Sequence, residues 1–566
     1  MEKTVVRAAQ PRTMVQVRFA DGRTYEAPVG TPYGEYVRVA FPKPPCPIVA
    51  LQVDGAVAEL GDPVTRDVTA TPIDMTTGDG IRIYQRAVTF VLVVAVRELF
   101  PEARVMIDFA VALGGFFCQV YGRAPFTPAE LSAIEERMRA IVEADEPIRK
   151  ESTGMAEAAQ LFAAQGYDDK ARLMSGCEPC DIVVYELRGV KDYFYGSMVS
   201  STGALRWFGL RHCPDGFILR LPRRQNPTVL PRHREFPKLT RVFRDYGDWL
   251  DILGVPDIGA LNAAIARDEM RRIVLVSEAL QEKQIAEIAA DITAQKERVR
   301  LVLIAGPSSS GKTTSARRLG IQLMANGLRP AALGLDDYFV DRSRTPRDAE
   351  GNLDFEALHA VDLALFNEQL LALMAGERVR VPRFNFHLGR GEPGHEMQLP
   401  SDAIIVVEGI HGLNPDLVPN IPPESIYRIY ISALAQLNID HHNRVPTTDS
   451  RLLRRIVRDA RDRGYSAQGT IERWESVRRG EENNIFPYQE NADVMFNSAL
   501  AYELAVLKPL AEPLLLGVSS GTPAAIEARR LLSFLRWVRP CSADLVPGNS
   551  LLREFIGGST LKDFHF

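Results

Sequence analysis

The sequence is poor in cysteine, and six in 566 residues do not make a disulfide scaffold. One Cys-x-x-Cys is present, Cys177-Glu178-Pro179-Cys180. A four-ligand zinc site would need a second pair, and only Cys213 beside His212 offers anything, so a plain loop is the expectation. Long apolar runs are also missing. The longest, Ala87 to Val96, is about half of what a spanning helix needs. The opening Met1-Glu2-Lys3-Thr4 lacks the charged-then-apolar pattern of a signal peptide, which leads to the expectation of a cytoplasmic protein. Charge of one sign is not in excess either. Lys+Arg 67 against Asp+Glu 72 leaves a net charge of -5, no general electrostatic case for nucleic acid or a membrane. What remains is 46% hydrophobic and 25% charged, an ordinary globular composition over a length that suits roughly three or four domains.

One stretch organises the rest. Leu301-Val302-Leu303-Ile304-Ala305 reads as a buried parallel strand, Gly306-Pro307-Ser308-Ser309-Ser310-Gly311-Lys312-Thr313 as a loop, and Thr314 to Met324 as a helix. That order is the context of a phosphate-binding P-loop. Gly306 and Gly311 permit backbone angles that turn successive N–H groups inward around an anion. The helix opening adds the positive end of its dipole. Lys312 would reach the outer phosphates and the Thr313 hydroxyl would hold Mg²⁺. Ser308, Ser309, Ser310 and Thr314 complete the expected nucleotide-binding set.

Two further strands end in acid. Ala331 to Leu335 runs into Asp336-Asp337-Tyr338-Phe339, and Ala403 to Val407 into Glu408-Gly409-Ile410-His411-Gly412. In doubly wound folds catalytic groups sit at the carboxyl ends of strands, and a carboxylate there can take the proton of an acceptor hydroxyl. An Asx turn closing the strand is the competing reading of Asp336. Glu408 stands in the Walker B position, where a carboxylate orients the Mg²⁺ shell. Together these three strand ends resemble the uridine kinase / phosphoribulokinase family of P-loop kinases. The resemblance implies MgATP as phosphoryl donor, a nucleoside-like hydroxyl acceptor, Asp336 as general base, and Asp354 of Asn352-Leu353-Asp354-Phe355 as a ligand of the acceptor sugar. It also places Phe384, His387 and Arg390 in the acceptor pocket. Here the sequence departs from the family, with Phe384 for a tyrosine and Asn385 for an aspartate, so uridine itself is not implied.

Downstream, Leu452, Leu453, Ile456, Val457 and Ala460 share one face of an amphipathic helix; Arg451, Arg454, Arg455, Arg458 and Arg461 share the other. A solvated face is the ordinary reading of such charge. The family's Arg-Asp…Arg-Gly run, matched by Arg458-Asp459 and Arg463-Gly464, implies instead a lid in which Arg458 and Arg463 meet the transferring phosphoryl group.

The N-terminal half reads as short strands joined by Asp-Gly turns at Asp54-Gly55 and Asp79-Gly80, with a helix near Tyr33 to Val39 and a last strand at Ile81 to Tyr84. Met14 to Tyr84 resembles the β-grasp TGS domain of threonyl-tRNA synthetase. Arg97 to Ala103, Pro125 to Leu131 and Ser201-Thr202-Gly203 resemble that enzyme's editing domain. The family's His-x-x-x-His pair is replaced by Arg86 and Phe90, and its later cysteine and histidine by Phe194 and Met198. None of these four can act as those groups do, so no tRNA deacylation is expected. The organisation expected is multidomain α/β and α+β: a TGS-like β-grasp domain at 1–86, a degenerate editing-like domain at 87–235, and a helical connector at 236–298. A P-loop kinase domain with a doubly wound parallel sheet at 299–520 and a C-terminal helix and tail at 521–566 follow. The alternative function is an ATP-switched RNA-binding or regulatory protein, against which residues 1–235 show scattered arginines but no continuous basic stripe. Oligomer formation stays open.

Overall fold

The computed structural model describes residues 12–566 apart from 112–113, 177–179, 233–234, 349–350, 386–387 and 436. Cys177 and the acceptor-pocket candidate His387 therefore lie outside the described residues. The chain divides into two units. The first comprises residues up to 234 with 440–444 and 519–534; the second comprises 235–439, 445–518 and 535–566. The expected connector is thus part of the second unit, the expected kinase region lends 440–444 and 519–520 to the first, and the expected C-terminal region is split between them.

In the first unit, β1 (Met14–Phe19) and β2 (Thr24–Pro28) make a hairpin, followed by α1 (Tyr33–Ala40), β3 (Ile48–Val53), β4 (Ala56–Glu59) and β5 (Val68–Asp74). Their sheet has the order β2-β1-β5-β3-β4, with β1 and β5 parallel, which is the β-grasp arrangement. Val15, Val17 and Phe19 alternate inward along β1 and pack on Tyr36 and Val37 of α1. One expectation is overturned here. Asp79-Gly80 is no hairpin turn and Ile81 to Tyr84 no strand; both lie in α2 (Gly78–Leu99), whose first turn is capped by Thr77 accepting the Gly80 N–H at 3.0 Å. Helix wins because the apolar run from Ile81 to Val96 is buried on nearly every face, and one long helix satisfies all of its own backbone groups there. Beyond it come β6 (Arg104–Ala110), β7 (Gly115–Tyr121), α3 (Pro128–Glu143), β8 (Arg149–Gly154), α4 (Met155–Ala164), α5 (Asp168–Ser175), β9 (Asp181–Leu187), β10 (Val190–Tyr193), β11 (Gly209–Cys213) and β12 (Gly216–Arg220). They form two antiparallel sheets, β11-β12-β7-β6 and β10-β9-β8, over a core shared with α2 and α3.

The second unit opens with α6 (Pro237–Leu253), α7 (Ile258–Ala266) and α8 (Met270–Ala294). The break between the last two falls at Arg267–Glu269, where Asp268 takes φ 59. Then follow β13 (Leu301–Ala305), α9 (Lys312–Ala325), β14 (Arg329–Gly334), α10 (Leu363–Met374), the hairpin β15 (Val379–Asn385) and β16 (Arg390–Met397), β17 (Ala403–Glu408) and β18 (Ile426–Ser432). The chain ends with α11 (Thr447–Arg458), α12 (Ala467–Asn484), β19 (Val494–Asn497), α13 (Glu503–Leu516), α14 (Pro523–Leu535) and α15 (Arg553–Ile556). Five parallel strands form the sheet β14-β17-β13-β18-β19. The fully buried β13 lies at its centre, with β17 on one side and β18 on the other. Such a reversal of strand order opens a crevice at the carboxyl ends, where ligands bind in doubly wound sheets. Among the described residues no helix is long and apolar enough to cross a membrane.

Candidate active site

β13 delivers the chain into the loop at residues 306–311, and α9 begins at Lys312. Its two glycines have different reasons. Gly311 adopts φ 87, ψ 25, the left-handed region in which glycine is unstrained. Gly306 does not have positive φ; a Cβ there would lie 1.9 Å from the Ile431 carbonyl oxygen, so β18 leaves no room for a side chain. The freedom expected of both glycines is needed at one of them only. Ser309 takes φ 58 without being glycine. The buried hydroxyls of Ser309 and Ser310 have no partner among the described residues, leaving donors unspent at the start of a helix, as a phosphate seat requires. Lys312 Nζ donates to the carbonyls of Gly306 (3.0 Å) and Pro307 (3.2 Å).

At the strand ends, Thr313 Oγ1 donates to Glu408 Oε1 at 2.8 Å, while Glu408 Oε2 is buried without a partner among the described residues. A hydroxyl beside a half-unspent carboxylate is the hard oxygen set that suits Mg²⁺, with waters completing the octahedron. Burial pushes the Glu408 carboxyl up to about 7 against the pull of Lys312. The adjacent aspartates part company. Asp337 accepts the Phe384 N–H at 3.3 Å and so ties the end of β14 to β15. Asp336 is exposed at the carboxyl end of β14, with protein crowded close around it. That crowding raises its pKa above the ordinary carboxylate value; Asp337 adds to the rise, and Lys312 and Arg463 oppose it. The Asp337 carboxylate is spent on this distant amide, and Asp336 is the residue left for chemistry.

The arginine helix is not a solvated face. Arg451 and Arg454 are almost wholly buried. Arg451 makes a bidentate pair with Glu481, donates to the Ser308 carbonyl at 3.0 Å, and Glu481 in turn accepts the Ser308 N–H at 3.0 Å. Arg454 pairs with Glu503 and reaches the Ser309 carbonyl at 3.4 Å. Arg455 donates to the Ser308 hydroxyl at 2.8 Å. These residues position the P-loop, a role that amphipathic spacing did not distinguish from a polar surface. The expected phosphoryl contacts lie one turn further on. Arg458 pairs with Asp459 at 2.8 Å, and the half-exposed Arg463 stands 3.6 Å from the same carboxylate, close enough to act on Asp336.

On the acceptor side, Asp354 Oδ1 accepts the Glu356 N–H at 3.0 Å, a local turn that fixes its carboxylate. Phe384 is buried edge-on to Phe339, ring centroids 5.7 Å apart, and Arg390 is exposed with Glu392 3.9 Å away. Glu356 was not foreseen. Burial and the charge of Glu481 push its carboxyl up to about 7, with Arg455 and Lys312 opposing. A carboxyl whose folded pKa lies above its unfolded value of 4.5 contributes stability at low pH that is lost as pH rises toward 7. Glu356→Gln should therefore match the wild type at pH 5 and exceed it at pH 8 by roughly 2–4 °C in thermal midpoint, read from Trp474 fluorescence. Identical pH slopes in the two proteins would mean another group titrates.

In the first unit, the four positions that depart from the editing pattern have structural work. Arg86 donates to the Ser197 carbonyl at 2.6 Å; Phe90 and Phe194 pack at 5.5 Å; Met198 is fully buried. Beside them sits His442, stacked on Phe194 at 6.4 Å with Nδ1 2.6 Å from Asp192. The buried Lys170 bridges Asp192 and Asp440 at 2.9 Å each. Burial raises the Asp192 pKa, but Lys170 and His442 outweigh it and bring the carboxyl down to about 2. This network anchors residues 440–444 in the first unit. Its sequence signal was the dense polar run Asp440-His441-His442-Asn443, more than 240 positions from its partners.

Comparison with known proteins agrees with both halves. The N-terminal region is similar to threonine–tRNA ligases: that of Burkholderia vietnamiensis is 32% identical over 200 residues, covering 35% of this chain and 31% of that protein. The one from Paraburkholderia phytofirmans is 31% identical over the same shares. The chain thus spans about a third (31%) of the length of the curated relatives it matches. Among solved structures, a "possible uridine kinase" from Bacillus stearothermophilus is 22% identical with a TM-score of 0.27, covering 38% of this chain and 98% of that one. A D-glycerate 3-kinase from Cryptococcus neoformans is 16% identical with a TM-score of 0.20, covering 45% and 87%. Residues 301–504 match the model of the Phosphoribulokinase / Uridine kinase family. A P-loop kinase domain at residues 301–504 thus follows a threonine–tRNA ligase-like N-terminal region in the chain.

Proposed function

We propose that the protein transfers the γ-phosphoryl group of ATP to a hydroxyl of a small molecule, a uridine-like nucleoside or a related compound. The observation that carries this reading is Asp336: an exposed carboxyl at the end of β14 within electrostatic reach of Lys312 and Arg463, with the Thr313–Glu408 pair at the end of the neighbouring strand. Asp336 takes the proton of the acceptor hydroxyl as its oxygen attacks the γ-phosphorus. The bond to the β-phosphate oxygen breaks, and Lys312, with Arg458 and Arg463 from the lid, meets the charge that develops. Thr313 and Glu408 would hold Mg²⁺, which neutralises phosphate charge when bound. Asp354 binds the acceptor, with Phe384 and Arg390 at its margin. The apolar Phe384 and the amide of Asn385 favour an acceptor different in shape or polarity from uridine. The first unit is proposed not to hydrolyse aminoacyl-tRNA, because Arg86, Phe90, Phe194 and Met198 supply neither metal ligand nor base.

The test is ADP release from MgATP across a panel of nucleosides, sugars and sugar acids, with Lys312→Ala alongside. Acceptor-dependent release is expected in the wild type, falling by about 10²-fold or more in the variant. ATP binding with no acceptor-dependent turnover across the panel would turn the reading toward an ATP-switched protein.

A further inference from the structure

The tail from Pro547 to Phe566 carries no motif, yet Leu551 and Glu554 in it lie against the P-loop. Glu554, in α15, accepts from both donors of Thr314: the backbone N–H at 3.1 Å and the hydroxyl at 2.8 Å. The Leu551 side chain covers Gly311, where a Cβ would come within 2.5 Å of it. The Phe555 ring lies under the Arg454 guanidinium at 5.0 Å, and Arg461 donates to the carbonyls of Phe555 (2.6 Å) and Glu554 (3.2 Å). At the far end, the Phe566 carbonyl accepts the Ala332 N–H at 3.1 Å, pinning the terminus to β14. The segment is thus held at both ends, with Glu554 in between.

P-loop donors cradle the α- and β-phosphates, and Thr314 stands at the start of α9 among them. One carboxylate oxygen, Glu554 Oε2, takes both the N–H and the hydroxyl, as a single negatively charged phosphate oxygen would. We propose that Glu554 occupies the seat of the nucleotide's α-phosphate, so that a nucleoside triphosphate enters only by displacing it. Inorganic pyrophosphate fills the inner loop without contest. Glu554 is in this way a specificity-determining residue and the C-terminal segment a gate. Through Arg461, which follows α11, displacement reaches the lid. The proposal rests on the P-loop of residues 306–313 being a nucleotide site.

The experiment is calorimetric titration of the full chain with MgATP and with magnesium pyrophosphate, for wild type, Glu554→Gln and Glu554→Ala. Glutamine keeps an acceptor for Thr314 and tests the charge; alanine tests the seat. Both variants should bind ATP about tenfold more tightly than wild type, because two like charges no longer compete for one site. Pyrophosphate affinity should change by less than about twofold. In the wild type, ATP but not pyrophosphate should speed hydrogen exchange at residues 551–558, a readout that does not depend on how a variant folds. Unchanged or weaker ATP binding in both variants overturns the gate, as does an equal gain for both ligands. A wild type that binds neither ligand fails at the nucleotide site itself and takes the gate with it.

Discussion

Asp336→Asn should bind ATP normally and lose about 10²–10⁴-fold in phosphoryl transfer. The two outcomes separate because Asp336 acts on Lys312 of the P-loop as a neighbouring charge, while the loop's own hydroxyls and N–H groups seat the phosphates. Asparagine keeps the shape but cannot take a proton, so the acceptor oxygen must attack while still protonated. The wild type carries a second signature. A base must be ionised to work, and crowding by protein raises the Asp336 pKa above the ordinary carboxylate value. The acid limb of kcat/KM should accordingly lie at higher pH than for a free aspartate, and it should vanish from the residual activity of the variant. Turnover that survives the substitution with its acid limb intact would assign the base elsewhere.

Glu481→Ala should cost about 3–5 kcal/mol in the stability of the second unit, the penalty for leaving the buried Arg451 charge without its partner. Trp474 lies 5.4 Å from that guanidinium and reports the transition directly in a urea titration. The double replacement Arg451→Met with Glu481→Met should recover most of the loss, since apolar groups of similar volume replace a buried pair at little net cost. Function should not recover. The pair holds both the N–H and the carbonyl of Ser308, so the loop in the double variant loses its fixed turn, and KM for ATP should remain raised by about tenfold or more. A double variant with wild-type KM would reduce the pair to a packing role.

Both predictions concern residues of very different legibility. Asp336, Lys312, Thr313 and Glu408 announce themselves because each follows an apolar strand within a few positions, and a strand's end is readable from its own residues. The bounds of β13 and β17 came out within one residue of expectation for the same reason. Arg451 and Arg454 were visible as charges on a helix, but not as buried ones. Amphipathic spacing says which residues share a face and does not say what that face meets. Phosphate-loop carbonyls and the acids Glu481 and Glu503, 30 and 49 positions away, turn a polar face into an interior one. At Asp79-Gly80 a strong local turn signal lost to the long apolar run behind it.

By itself, then, the sequence determined the phosphate loop, the acidic strand ends, the kinase-like and synthetase-like halves, and the replacement of four positions in the latter. All of these are properties of neighbouring residues or of short motifs, set by backbone freedom, period and side-chain type. Only the tertiary structure decided which aspartate stays exposed at the end of β14, which arginines brace the loop, that residues 440–444 are held in the first unit by Lys170 and Asp192, and that Glu554 sits on Thr314. Each of those depends on contacts across 30 to 270 positions of chain, and no local pattern encodes a pairing whose energy exists only when the two distant segments are packed together.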